Sequence, residues 1–198
     1  MLKIALTGPS GSGKGYIAAL LAQRGIPCLD TDRTVHGLYR DPAFSSALAK
    51  ALGADVLCGD GTVDRKKLGA LVFADAGAME KLSHTVYPAV KREIDRFFED
   101  ASSSGAAAAA VDAPQLFEAG FENDFDLIVC VTAPRDLRLK RVIARDGITR
   151  REALLRFAHQ MPAREYERRS TVTLRNTGGD PAPRIDAILK KYGATDGC

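Results

Sequence analysis

The chain has 198 residues, 45% of them apolar and none tryptophan, which suits one globular domain with a core of Ala, Leu, Ile and Val. No stretch approaches the roughly 20 apolar residues a membrane helix needs, and "MLKIALTG" leads directly into a glycine loop with no room for a secretory segment, so a cytoplasmic protein without a membrane partner is expected. Net charge is only +3, yet residues 135–169 carry 11 Lys/Arg against 5 Asp/Glu, which implies an anionic ligand there, either nucleic acid or a small phosphorylated molecule.

In chain order, "LKIALTG" is a nearly continuous apolar run ending in glycine, the pattern of a buried parallel strand. A helix follows over Lys14 to Arg24, with Ile17, Leu20 and Leu21 on one face and Gly25 closing it. "IPCLDTD" reads as a second strand ending in two acids, and "RTVHGLYR", "PAFSSALAKALG" and "DRKKLGALVFAD" as helices. Met79, Leu82, Val86, Val90, Ile94 and Phe97 recur at spacings of three and four, an amphipathic helix that Pro88 is expected to split by starting a new one. "SSSG" at Ser102 to Gly105 reads as a flexible connector, and "AAAAAVDAP" as a buried strand in spite of the helical preference of alanine. "FDLIVCVTAP" is a strand, "RDLRLKRVIARDG" and "TRREALLRFAHQM" are helices about an Asp-Gly turn, "TVTLRNTGG" is the last strand, and "PAPRIDAILKKYG" is a closing helix. Strands alternating with helices predict an α/β fold, a parallel sheet flanked by helices, with ligands at the carboxyl ends of its strands. Of four scattered cysteines (Cys28, Cys58, Cys130, Cys198), Cys28 and Cys130 sit in strand-like runs and read as small buried hydrophobes.

Gly8, Gly13 and Lys14 match G-x-x-x-x-G-K between a strand and a helix. Glycines let backbone N–H groups curl around phosphate oxygens, the helix dipole points at the same anion, and the lysine adds a point charge. Gly15 stands where a Ser or Thr hydroxyl would hold magnesium. Either the ion is kept by phosphate oxygens, water and nearby acids, the preferred reading, or only binding remains. Asp30 and Asp32, placed on one side of the second strand by alternation, are candidate bases that orient and deprotonate an acceptor hydroxyl; Asp32 would serve equally well as a helix N-cap. Asp112, at the end of the alanine-rich strand, is a candidate to hold magnesium or its water, or else a turn residue. Arg138, Arg141 and Arg145, at i, i+3 and i+7, form one helix stripe suited to a mobile lid, which Arg164, Arg168 and Arg169 extend from the next helix. Only Phe157 and Tyr166 interleave these charges, too few for base stacking, so no nucleic-acid partner is expected.

Taken together, "IALTGPSGSGKG", "LDTD", "DGTVDRKKLGALVF", "YPAVKREI", "DAPQLFEAG", "LKRVIARDG" and "NTGG" resemble the dephospho-CoA kinase family over nearly the whole chain. The resemblance implies a P-loop kinase domain: a nucleotide core over about residues 1–31, 105–134 and 170–198, a helical CoA-binding insertion over about 32–104, and an Arg-rich lid over about 135–169. It implies transfer of the γ-phosphate of ATP, with Mg2+, to the ribose 3′-hydroxyl of dephospho-CoA. By that resemblance Gly11, Ser12, Gly13, Lys14, Gly15 and Tyr16 line the ATP phosphates, Asp32 is the base, and Lys14 and Arg141 stabilise transferring charge. Asn176 and Gly178 lie near adenine, and Arg65, Lys81, Pro114, Leu116 and Glu118 lie around the acceptor. Three departures stand out: Gly15-Tyr16 for the hydroxyl pair after the lysine, Tyr87 for a histidine before Pro88, and Gln115 for a leucine. The competing functions are a nucleoside monophosphate-type kinase and an ATP-binding regulator weakened in catalysis. A monomer or weak homo-oligomer is expected.

Overall fold

In the computed structural model, which describes residues 1–194, the apolar runs of the sequence become strands stacked edge to edge. These are β1 (Leu2–Thr7), β2 (Cys28–Asp30), β3 (Ala108–Asp112), β4 (Leu127–Thr132) and β5 (Val172–Arg175), in the sheet order β2-β3-β1-β4-β5. The β1–β3, β1–β4 and β4–β5 ladders are parallel, and the register sets Leu6 opposite Asp112, Thr7 opposite Cys130 and Thr132 opposite Arg175. Cys198 lies outside the described residues.

The helices are α1 (Lys14–Ala22), α2 (Thr31–Leu38), α3 (Pro42–Leu52), α4 (Arg65–Ala74), α5 (Ala76–Ser103), α6 (Arg135–Asp146), α7 (Arg150–Ala158), α8 (Ala163–Arg169) and α9 (Ala182–Lys191). Their ends follow local chemistry. Asp30, Asp41 and Asp64 each accept hydrogen bonds from first-turn amides of α2, α3 and α4. Thr149 and Glu152 form a capping box at the start of α7. Helix α1 closes with Ile26 N–H on the Leu21 carbonyl and Gly25 N–H on that of Ala22.

The chain divides into two units. The first joins Met1–Leu29 to the chain from Phe98 onward. On one face of its sheet Ile4, Leu6, Leu127, Val129, Val131 and Leu174 pack with Ile17 and Leu21 of α1 and Ile185 and Leu189 of α9. The alternate residues Ala5, Ala109, Val111 and Cys130 are buried as well, which explains why these strands read as unbroken apolar runs. Burial also decides the alanine-rich segment: β3 is a central strand with almost no solvent contact, and tertiary pairing overrides its helical preference. Cys130 is buried, and loss of solvation pushes its thiol up to about 12; Cys28 is partly buried and pushed up to about 11 by the same cause. Helices α6 and α7 carry a small cluster of their own, Leu139, Val142 and Ala153, flanked by Ile143, Ile148, Leu154 and Phe157.

The second unit, Asp30–Phe97, is helical, with an isolated antiparallel bridge between Leu57 and Val63. Leu48, Leu52, Val56, Val63, Leu68, Val72 and Ala78 form its core.

Four expectations change. Asp32 is not a strand residue: β2 stops at Asp30, Asp32 lies in the first turn of α2, and the side-chain cap comes from Asp30, which accepts from Arg33 N–H at 3.1 Å. Alternation along a strand therefore does not relate the two acids. Pro88 does not split its helix, since α5 runs unbroken for 28 residues. Pro88 and His84 are both on the exposed side of the helix, while Val86, Ala89, Val90 and Ile94 hold the buried face. On that helix Phe98, not Phe97, is buried, and Met79 is exposed. Ser102 and Ser103 of the expected connector belong to α5, and the chain leaves the helix only before Gly105.

Leu48 is fully buried among the core residues of the second unit. Leu48→Ala is expected to lower stability by about 2–5 kcal/mol, read from the urea midpoint at constant slope. A loss below about 1 kcal/mol would contradict this packing.

Candidate active site

The carboxyl ends of the central strands converge on the glycine loop. Asp112 ends β3 opposite Leu6, and Ala113 N–H donates to the Leu6 carbonyl at 2.9 Å, so the acid lies beside the strand that feeds the loop. On the other side, Asn176 N–H donates to the Thr132 carbonyl at 2.7 Å and brings the end of β5 toward the same place. This is where ligands bind in open parallel sheets.

Within the loop, Lys14 Nζ donates to the Gly8 carbonyl at 2.8 Å. Gly13, with φ of 94°, is the N-cap of α1, and no side chain caps the first turn, which leaves a helix N-terminus suited to an anion. Three glycines are required by close neighbours as much as by a ligand: a Cβ on Gly8 would collide with the carbonyl oxygen of Val131. A Cβ on Gly11 would lie 2.5 Å from the carbonyl oxygen of Arg138, and one on Gly13 would run into Nδ2 of Asn176. Gly15 differs: a Cβ there meets nothing within 4 Å. Tyr16 is exposed, whereas Ser12 is buried, its hydroxyl without a hydrogen-bond partner.

The arginine stripe is not uniform. Arg141 reaches the loop: Nη1 lies 3.3 Å from the Gly11 carbonyl, 3.2 Å from that of Ser12 and 3.4 Å from that of Asn176, and Nη2 lies 3.5 Å from Asn176 Oδ1. Arg138 is 8% exposed, its guanidinium 4.7 Å from the Phe157 ring centre. Its Nε has no hydrogen-bond partner, and no carboxylate among the described residues pairs with it. Burial, then repulsion from Arg135, lowers its pKa from the usual arginine value. Arg145 leaves the stripe. It pairs with Asp146 at 2.7 Å, and Arg156 pairs with the same carboxylate, tying α7 to the end of α6. The two guanidiniums hold Asp146 down at about 2, so the clamp is complete above the ordinary carboxylate range and is lost as pH falls through that value.

The added arginines of α8 have other roles. Arg164 and Arg168 pair with Glu165. Arg169 pairs with Glu122 and lies 4.2 Å from the Phe117 ring centre. Tyr166, 2% exposed, donates its hydroxyl to Glu118 at 3.4 Å, and burial pushes its phenol well above the usual tyrosine value. Thus Glu118 is exposed and held from α8, with Pro114 partly exposed nearby in sequence. Leu116, expected around the acceptor, is 0% exposed. Asn176 is 5% exposed and donates Nδ2–H to the Ser12 carbonyl at 2.9 Å, so its side chain is committed to the loop itself; Gly178 is exposed in the following turn.

Arg65, Lys81, Tyr87 and Asp32 belong to the second unit. Arg65 opens α4 beyond its Asp64 cap and is exposed; its charge opposes the burial that raises the Tyr39 phenol. Lys81 is exposed and Tyr87 half-buried on α5. The sequence reading missed Ser10 and Gln160. Ser10 N–H donates to Gln160 Oε1 at 3.1 Å, and Gln160 Nε2 donates to Ser10 Oγ at 2.6 Å. A glutamine in a turn carries no periodicity or motif that would have singled it out.

The family model described as dephospho-CoA kinase matches residues 2–181. A curated dephospho-CoA kinase of Mesorhizobium japonicum is 37% identical over 191 residues, 96% of this chain and 95% of that protein. Among solved structures, one from Thermus thermophilus is similar with a TM-score of 0.83 at 34% identity, covering 96% of this chain and 97% of its own. A dephospho-CoA kinase from Campylobacter jejuni shares the fold with a TM-score of 0.70 at 21% identity, covering 96% of each chain. With its phosphate loop, parallel sheet and arginine-bearing helix, the chain belongs to the dephospho-CoA kinase family.

Proposed function

We propose that this kinase transfers the γ-phosphoryl group of ATP to the ribose 3′-hydroxyl of dephospho-CoA, giving CoA and ADP, the last step of coenzyme A biosynthesis. Family membership supports the acceptor. The observation that supports the transfer is the pair of arginines at the loop. Arg141 already donates to loop carbonyls, and Arg138 is a buried cation that no carboxylate among the described residues pairs with, a costly state that an incoming phosphate would relieve. In the reaction the 3′-oxygen forms a bond to the γ-phosphorus as the bond to the ADP oxygen breaks. The hydroxyl proton passes to Asp32. Lys14 and Arg141 neutralise charge as it shifts between the two oxygens, and this positioning carries most of the catalysis. The nucleotide unit is assigned the phosphate loop, the lid of α6 to α8 and the neighbourhood of adenine at Asn176 and Gly178. The acceptor is assigned Arg65, Lys81, Tyr87, Pro114 and Glu118.

Among the described residues no three of His, Cys, Asp and Glu gather into a metal cage. That suits magnesium, which takes one or two carboxylates and otherwise phosphate oxygens and water. Asp112, beside the strand that feeds the loop, is the residue that would hold the ion or its water. When bound, the ion would draw charge from the phosphate oxygens. The open space around Gly15 allows water to stand where a hydroxyl would be.

The test is transfer from ATP to dephospho-CoA, AMP, CMP or a nucleoside with magnesium present. Phosphorylation of dephospho-CoA alone is expected; phosphorylation of a monophosphate with dephospho-CoA untouched overturns the assignment. Asp32→Asn is expected to lower kcat by about 10²–10⁴ with little change in KM, and near-normal turnover would remove Asp32 from the base role. Gly15→Ser, which meets no steric obstacle, is expected to tighten magnesium dependence while leaving kcat within about tenfold. A natural protein without turnover that serine rescues would instead make this chain a nucleotide binder.

A further inference from the structure

Three consecutive loop residues are each engaged by a different part of the segment after β4. Gly11 packs against the backbone of Arg138, Ser12 gives its carbonyl to Arg141, and Ser10 is held by Gln160 in the turn between α7 and α8. The first two contacts come from one helix. The third comes 150 residues along the chain from Ser10 and is reciprocal. The orientation of the Gln160 amide is fixed by chemistry. Ser10 N–H can only donate, so it faces Oε1, and Nε2 is left to donate to Ser10 Oγ.

We propose that Gln160 is a positioning residue, a latch whose amide clasps Ser10 at both its N–H and its hydroxyl and so holds the α6–α7 lid engaged on the phosphate loop. The latch touches no reacting atom. It acts through Arg138 and Arg141, which are carried by the helix that α7 packs against and braces through Arg156 and Asp146. A lid that is engaged only part of the time binds nucleotide more weakly in proportion to the engaged fraction. Raising that fraction before ATP arrives is the work of the latch. The inference rests on the kinase function proposed above for its effect on ATP, but not for its effect on the loop.

The experiment therefore has a ligand-free arm and a kinetic arm. Gln160→Ala, Gln160→Glu, Ser10→Ala and the Ser10→Ala/Gln160→Ala double variant are compared with the natural protein, with denaturant midpoints measured on each. In ligand-free protein, amide hydrogen exchange over residues 8–14 and 135–160 is expected to accelerate about tenfold in Gln160→Ala, the size expected for two lost hydrogen bonds. Ser10→Ala, which keeps the N–H contact, is expected to show a smaller effect, and the double variant to be no faster than Gln160→Ala. Gln160→Glu accepts from both Ser10 donors and is expected to restore protection. In turnover, Gln160→Ala is expected to raise KM for ATP about tenfold and KM for dephospho-CoA less than about twofold. Unchanged exchange in both segments, additive single effects, or equal rises in both KM values overturn the latch. If exchange responds as expected but the natural protein phosphorylates no dephospho-CoA, the latch stands and the acceptor assignment falls.

Discussion

Everything at the candidate site depends on a loop of backbone being held open in one conformation. A phosphate cradle made of amides is useful only if those amides already point inward, because a loop that must order itself on binding loses that entropy from the affinity. The loop is fixed from outside by its carbonyls. Asn176 and Arg141 both donate to the Ser12 carbonyl, and Arg141 also reaches that of Gly11. The loop also closes on itself, since Ser12 N–H donates to the Pro9 carbonyl at 3.3 Å. The positive φ values of Gly11 and Gly13 serve this arrangement as much as they serve the ligand.

Asn176 has a structural task at the loop besides the place near adenine that its motif suggests. A residue expected near adenine is 5% exposed and bonded to the loop, and a Cβ on Gly13 would collide with it. The "NTGG" and "GSGKG" segments are thus complementary surfaces. The polar atom of one occupies the space that the missing side chain of the other leaves. Asn176 N–H still bonds to the neighbouring strand at the Thr132 carbonyl, while its side chain donates to the Ser12 carbonyl of the loop.

Where period and burial dominate, the sequence was legible. The strands, the glycine loop and nearly every helix follow from apolar runs and 3.6-residue spacing. Where it misled, a local rule met a stronger non-local one. Alternation was applied to "LDTD", but Asp30 caps a helix and ends the strand, so its geometry does not extend to Asp32. Proline predicts a break, but a long buried face carries α5 through Pro88. Leu116 lies in a motif matched to acceptor binding, yet its side chain is interior. The arginine stripe was right in period and wrong in uniformity. Arg145 turns to Asp146, a residue adjacent in sequence, because an i to i+1 pair at a helix end is available at little entropic cost.

That divergence within the stripe separates binding from bracing. A lid needs cations aimed at phosphate, and those cations need a rigid support that does not itself compete for phosphate. The backbone of Arg138 packs against Gly11, and the Arg141 guanidinium reaches the loop carbonyls. Among the described residues neither guanidinium pairs with an acid. Arg145 and Arg156 are instead spent on Asp146, locking α7 against the end of α6. Exchanging these duties would fail physically: an acid beside Arg141 would oppose the positive charge at the loop, and an unpaired Asp146 would remove the ionic tie that supplements the small apolar cluster between the two helices. The placement of a single carboxylate, five residues beyond Arg141, therefore decides which guanidiniums brace the two helices.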